Sequence, residues 1–171
     1  MGGLQIGDRA PDVRLPGIRM VDGRFEHNEY SLSESRGRPV VLAFYPLDSS
    51  KVCTVQMCSY QDSFEGFEEL GAEVWGISLQ GVASHAEFAL ANGLTFPLLA
   101  DHRDGVGSAY GVALGGMLRR AIFIIDGDGI IRWKHVAMIG FTYRRAVEIR
   151  EQILRLFPAP SGQAFAFAPP V

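Results

Sequence analysis

Cysteine is scarce in this chain, with two among 171 residues, Cys53 and Cys58. That excludes the disulfide framework that staples small secreted domains. A zinc clip would need two further ligands, and His27, His85, His102 and His135 are scattered without ligand spacing. Lysine is as rare: only Lys51 and Lys134 accompany the arginines, which is compositional bias. The formal net charge is −3, which leaves no basic excess for nucleic acid or for a polybasic membrane surface. No apolar run approaches the length of a membrane helix, and VVLAFYPL is the longest near the start. The opening MGGLQIGDRAPD has neither the basic nor the apolar region of a signal peptide. Ile6 stands where a myristoylation signal needs Ser or Thr. The cytoplasm is therefore the expected location, where two cysteines point to catalysis or redox sensing before a permanent bridge. Internal repeats are absent, as is any linker within residues 1–157.

What is present reads as one domain. Hydrophobic residues make up 47% of the chain and charged residues 20%, enough apolar material for a core without staples. Short alternating runs around Asp22-Gly23 predict an N-terminal hairpin. GRPVVLAFYP is a continuous apolar run, the pattern of a strand buried on both faces. Residues 53–70 carry helical spacing, with Phe64, Phe67 and Leu70 on one face and Gly71 as the stop. AEVWGIS predicts a second buried strand. Ser84 is placed as the N-cap of HAEFALANG, which ends at Asn92-Gly93. FPLLAD follows as a short strand and RDGVGSAYGV as a short helix and loop. AIFIID and IIRWKHV are expected to pair through Gly127-Asp128-Gly129, and residues 141–157 to form an amphipathic closing helix. Alternating strands and helices predict an α/β sheet covered on both faces, with a terminal hairpin. PAPSGQAFAFAPPV, residues 158–171, reads as a frayed tail, with a strand or hook docking on a partner subunit as the alternative.

Cys53 follows a strand and loop and begins a helix. Unpaired N–H groups and the helix dipole favour negative charge there, and thiolate is the nucleophilic form of cysteine. A buried core cysteine is the plain alternative. Against it stand the polar loop DSSK, the stiffening Pro46, and Ser50, whose hydroxyl can turn toward the sulfur or a bound substrate. Cys58 is five residues on. Within one helix that spacing means roughly 7.5 Å of rise and about 140° of rotation. A disulfide needs Cα atoms within about 7 Å and converging Cβ vectors. An intact helix therefore forbids the bridge, and a bridge that forms on unwinding would be catalytic or sensing.

PLDSSKVC fits the Pro-x-x-x-(Thr/Ser)-x-x-Cys signature and resembles the peroxiredoxins, thiol peroxidases on a thioredoxin-like fold with a central mixed sheet flanked by helices. FYPLDSSKVCTVQMCSYQDSF is similar to their bacterioferritin-comigratory-protein, or Q-type, subgroup, and the likeness runs through GAEVWGISLQGVASHAEFALANGLTFPLLAD and RRAIFIIDGDGIIRW. It covers roughly residues 4–135. The resemblance implies that Cys53 is the peroxidatic cysteine, Cys58 the resolving one, Ser50 a hydrogen-bonding partner of the peroxide, and Pro46 a shield against water and over-oxidation. Arg120 matches the family arginine beside the sulfur; its neighbour Arg119 is the alternative, and phase relative to Phe123 favours Arg120. The chain departs from the pattern at Ser50 (usually Thr), Val52 (often Gly) and Gln56 (often Glu, which can pair ionically with the arginine where Gln can only hydrogen-bond).

The activity so implied is reduction of hydrogen peroxide and organic hydroperoxides through a sulfenic acid and a Cys53–Cys58 disulfide, recycled by a thioredoxin- or glutaredoxin-like dithiol. Metal, flavin and nucleotide have no part in it, and GVGSAYG lacks the glycine spacing of a dinucleotide fingerprint. Members of the subgroup are monomers or homodimers. The competing functions are a redox sensor that passes oxidation to a partner protein and a thioredoxin-like disulfide reductase, which the lack of Cys-x-x-Cys disfavours.

Overall fold

The computed structural model describes residues 3–103, 105–138 and 142–158. Its first element is the hairpin expected at Asp22-Gly23. Strand β1 (Arg14–Val21) pairs antiparallel with β2 (Arg24–Ser31) across a turn in which Asp22 and Gly23 both have positive φ, 49° and 74°. That is the twist a two-residue hairpin loop needs.

The apolar run becomes β3 (Val40–Phe44), buried along its whole length. It pairs in parallel with β4 (Glu73–Ser78), which pairs in parallel with β5 (Leu98–Ala100). On its other side β3 pairs antiparallel with β8 (Ala121–Ile125), and β8 with β9 (Ile131–Val136). The β8–β9 turn is held by Asp126, whose Oδ1 accepts the N–H groups of Asp128 and Ile130, both at 2.9 Å. The result is a seven-stranded mixed sheet in the order β2-β1-β5-β4-β3-β8-β9.

Alternation along β3 explains the two cores. Val41, Ala43 and, just past the strand, Tyr45 face one cluster, while Val40, Leu42 and Phe44 face the other. The first face carries helices α1 (Lys51–Asp62), α2 (Phe64–Glu69), α3 (Val82–Asn92) and α5 (Ala146–Leu156). The second is covered by α4 (Gly105–Ala109), by Tyr110 and Val112, and by N-terminal residues such as Ala10 and Val13. Edge-to-face contacts of Phe123 with Phe44 and Tyr110, at 5.9 and 5.0 Å, add about 0.5–1.5 kcal/mol each beyond burial.

Three expectations are corrected, and one small element is new. The helix expected over residues 53–70 is two helices, broken at Ser63, and it begins at Lys51 because Ser50 is its N-cap. The apolar spacing runs on through Met57, Tyr60, Phe64 and Phe67 across the break, so periodicity could not reveal it. Ser84 is not an N-cap: α3 starts at Val82 with Gly81 in that position, and Ser84 spends its hydroxyl on Asp48. The closing helix starts at Ala146, where Glu148 reaches back to the N–H of Arg145 at 2.8 Å. Gly115 and Gly116, both with positive φ, turn a small ribbon of β6 (Ala113–Leu114) and β7 (Met117–Leu118) that was not anticipated. Of the C-terminal stretch read as a tail, residues 159–171 lie outside the described residues. Among the described residues no helix is long and apolar enough to cross a membrane.

Gly17 shows how tightly the hairpin joins the sheet. A Cβ added there would stand 2.8 Å from the carbonyl oxygen of Leu98 and 3.0 Å from the Tyr30 ring. Backbone cannot yield as a side chain does. Gly17→Ala is expected to lower unfolding free energy by about 1–3 kcal/mol, measured as a shift of the urea midpoint at constant slope.

Candidate active site

Sheet register brings the distant residues together. Ala121 pairs with Phe44, so the residue before β8, Arg120, lies beside the residue after β3, Tyr45. The chain on each side is also pinned: Tyr45 donates its N–H to Ile77 O at 3.0 Å, and the carbonyl of Arg120 accepts from Ala137 at 2.9 Å. The loop that leaves β3 then delivers the start of α1 over the same end of the sheet. This is the carboxyl end of the parallel pair, where open α/β sheets place their sites.

Cys53 is the third residue of α1 and fully buried. Ser50 is the N-cap, with its hydroxyl accepting the N–H of Cys53 at 3.3 Å and its carbonyl accepting from Thr54 at 2.8 Å. First-turn N–H groups of α1 are thus gathered around the sulfur's residue. Arg120, itself 5% exposed, sends Nη1 to Cys53 Sγ at 3.1 Å and to Gln56 Oε1 at 2.8 Å. Each of the two Nη1 hydrogens therefore has its own acceptor. Gln56 lies one turn past Cys53 on the same buried face, and its Nε2 donates to Tyr60 Oη at 3.0 Å. Tyr60 in turn donates to the carbonyl of Arg144 at 3.0 Å. Burial, only partly offset by Gln56, holds the Tyr60 phenol well above its ordinary range, so it stays a neutral donor.

Chemically this is an anion site. A guanidinium meets one buried sulfur at a helix start whose cap is a hydroxyl, and such fixed donors act strongly where charge develops. Pro46 is half-buried beside it and lines a concavity of about 210 Å³ with Leu114, Met117, Arg119, Arg120 and Met138. A small molecule in that concavity touches Arg120. Arg119 points elsewhere, with Nη2 donating to Ala137 O at 2.9 Å.

Cys58 is not part of this cluster. It lies farther along the intact helix, half-buried, with Sγ 3.9 Å from Asn92 Oδ1 on α3. Asn92 Nδ2 is taken by Phe88 O at 2.9 Å, which turns its oxygen toward the thiol. Both cysteines are free thiols. Partial burial, and then the charge of Asp62, push the Cys58 thiol above its ordinary value.

One cluster escaped the sequence reading. Behind the loop, Tyr45, Asp48, Ser84 and His85 form a buried hydrogen-bonded group. A signal existed: His85 shares the helical face of Phe88 and Ala89, so a titratable ring points into the core.

Comparison with known proteins follows the same outline. The AhpC/TSA family model matches residues 6–134. The rice (Oryza sativa subsp. japonica) protein named peroxiredoxin Q, chloroplastic, is 39% identical over 135 residues, 77% of this chain. The match spans 59% of that relative's length. Mouse (Mus musculus) peroxiredoxin-2 is 38% identical over 140 residues, 77% of this chain and 69% of the mouse protein. Among solved structures, Mycobacterium tuberculosis AhpC superposes with a TM-score of 0.81 over 91% of this chain and 94% of its own, at 24% identity, a likeness of fold.

The direction of the Cys58 shift is measurable. In a Cys53→Ser background, the pH profile of iodoacetamide labelling should place Cys58 above the free-thiol value of about 8.5. Asp62→Asn removes a nearby negative charge, so the profile should move to lower pH; an unmoved profile would leave burial as the whole cause.

Proposed function

The chain belongs to the AhpC/TSA family, and from that premise we propose that it is a thiol-dependent peroxidase, with Cys53 as the nucleophile and Cys58 as the resolving thiol. The observation that carries this reading is the buried contact of Arg120 Nη1 with Cys53 Sγ, 3.1 Å, shared with Gln56. A guanidinium beside a sulfur at a helix start stabilises the thiolate and stands ready for the peroxide oxygens.

In the first step the thiolate sulfur attacks one oxygen of R–O–O–H. The S–O bond forms as the O–O bond breaks, and sulfur is oxidised to the sulfenic acid while the peroxide is reduced. The departing oxygen leaves as alkoxide or hydroxide and takes a proton to become alcohol or water. Arg120 and the first-turn N–H groups act on that developing charge more than on the resting substrate, which is what lowers a barrier. Ser50 caps the helix, and its hydroxyl accepts the main-chain N–H of Cys53. Pro46 walls the site from bulk water.

In the second step Cys58 gives up its proton and its sulfur attacks the Cys53 sulfenic sulfur; the S–S bond forms as the S–O bond breaks, and the departing hydroxide takes a proton and leaves as water. Five residues of intact helix keep the two sulfurs apart, so the first turns of α1 must unwind. Cys58 must also leave Asn92 and its partly buried setting. A dithiol of the thioredoxin or glutaredoxin type would return both thiols by exchange, in the cytoplasm or another reducing compartment. Residues 1–157 would serve as one unit in this chemistry.

The decisive experiment follows both cysteines by mass spectrometry without reductant after one equivalent of hydrogen peroxide. An intramolecular Cys53–Cys58 linkage is expected, Cys53→Ser should lose turnover, and Cys58→Ser should stop at a Cys53 sulfenic acid. Full turnover by Cys53→Ser, or a linkage only between chains, would overturn the assignment. Arg120→Met should slow the first step by about 100-fold or more, the usual cost of removing one preorganised donor to a developing anion, read by stopped-flow oxidation of the reduced protein.

A further inference from the structure

Asp48 lies between β3 and α1, two residues before the cap Ser50, and its side chain is 4% exposed. A carboxylate that deep needs partners, and it has three. Oδ1 accepts from the Tyr45 hydroxyl at 2.7 Å, and Oδ2 accepts from Ser84 Oγ at 2.6 Å and from His85 Nδ1 at 2.8 Å. His85 is fully buried, and its Nε2 lies 3.0 Å from the carbonyl oxygen of Leu99. Both ring nitrogens thus face oxygen atoms, one of the carboxylate and one of the main chain. Burial alone would raise the Asp48 carboxyl, but the hydrogen bond and charge of His85, joined by Ser84 and Tyr45, hold it below the usual carboxylate range. The main chain is held as well: Asp48 donates its N–H to Gln80 Oε1 at 3.2 Å, an oxygen that also accepts from Ser78 Oγ at 2.7 Å.

Stability is a poor explanation for this group, since well-packed apolar side chains commonly match or exceed buried polar and charged ones. Its location supplies a better one. The next residue, Ser49, is held in the left-handed region at φ 61°, a conformation that a non-glycine residue adopts only when its neighbours hold it there. The residue after that caps α1 and bonds the N–H of Cys53. An anchor at Asp48 therefore dictates, through two residues of chain, where the helix start stands. The far end of α1 is tied separately, by Tyr60 to Arg144 O and by Gln61 to Thr95. Unwinding between these ties leaves Asp48 in place, so the first turn can re-form in register.

Building on the peroxidase reading, we propose that Asp48 is a positioning residue: paired with His85 and Ser84, it fixes the Pro46–Ser50 loop on α3 and aims the Ser50 hydroxyl and the first-turn N–H groups at the peroxide held by Cys53. It touches neither sulfur nor substrate and acts through Ser50.

Peroxide reduction needs those aimed donors, whereas alkylation by iodoacetamide needs only an accessible thiolate. Both second-order rates are measured for reduced Cys53 in a Cys58→Ser background. Asp48→Asn keeps the shape and removes the charge; Ser84→Ala removes one hydrogen bond and suits a helix. Asp48→Asn should slow the peroxide reaction by about 10- to 100-fold and Ser84→Ala by about threefold, with alkylation changed less than about twofold. If Asp48→Asn does not fold, Ser84→Ala and Tyr45→Phe carry the comparison. Peroxide and alkylation rates that fall together would overturn the positioning role, as would folded variants that reduce peroxide at the parent rate. A parent protein that alkylates readily and ignores peroxide would instead overturn the peroxidase reading, and this proposal with it.

Discussion

A single contact organises the molecule: the guanidinium of Arg120 against the sulfur of Cys53, residues 67 apart in sequence. A buried cation is costly unless its hydrogens find acceptors. Here Nη1 finds both the sulfur and Gln56, and the chain carbonyl of the same residue is fixed by Ala137. Everything that places those acceptors follows from the sheet. The register of β3 with β8 sets Arg120 beside Tyr45, and the loop after Tyr45 returns Cys53 over it.

The helix that carries Cys53 is held at both ends, and its buried face is held by Arg120. Asp48 fixes the approach to it, while Tyr60 and Gln61 fix its last turn. Between them lie both cysteines, one against Arg120 and one loosely on Asn92. Opening this segment withdraws Cys53 and Met57 from the core cluster they share with Tyr45 and Phe88, so each opening costs buried contacts that closing restores. Gln56 belongs to the same logic. It bonds Arg120 without adding charge, and its other end leads to Tyr60 and so to the chain before α5. The helix face that carries Cys53 is thereby also tied to the main chain just before the closing helix.

Much of the fold was legible because it depended on local pattern. The run VVLAF, the Asp22-Gly23 turn and the Gly127-Asp128-Gly129 turn each carry a strong signal within a few residues. The errors fell where local patterns are ambiguous. A 3.6-residue period continued across Ser63 although the helix stopped. Ser84 has the chemistry of a cap, but Gly81 holds that position and a buried carboxylate claims the hydroxyl. The Gly115-Gly116 ribbon is too short for alternation to register.

Of the site, spacing along the chain alone places Cys53 at a helix start, a hydroxyl three residues before it, and a second thiol too far along the helix to bridge. These are consequences of spacing along one chain, and helical geometry fixes them. Phase along the strand already favours Arg120 over Arg119, but that Gln56 shares its guanidinium and that Asp48 is bound to His85 come from packing alone. Each joins residues from different elements, and strand register and helix packing, which no local spacing encodes, set the distances between them.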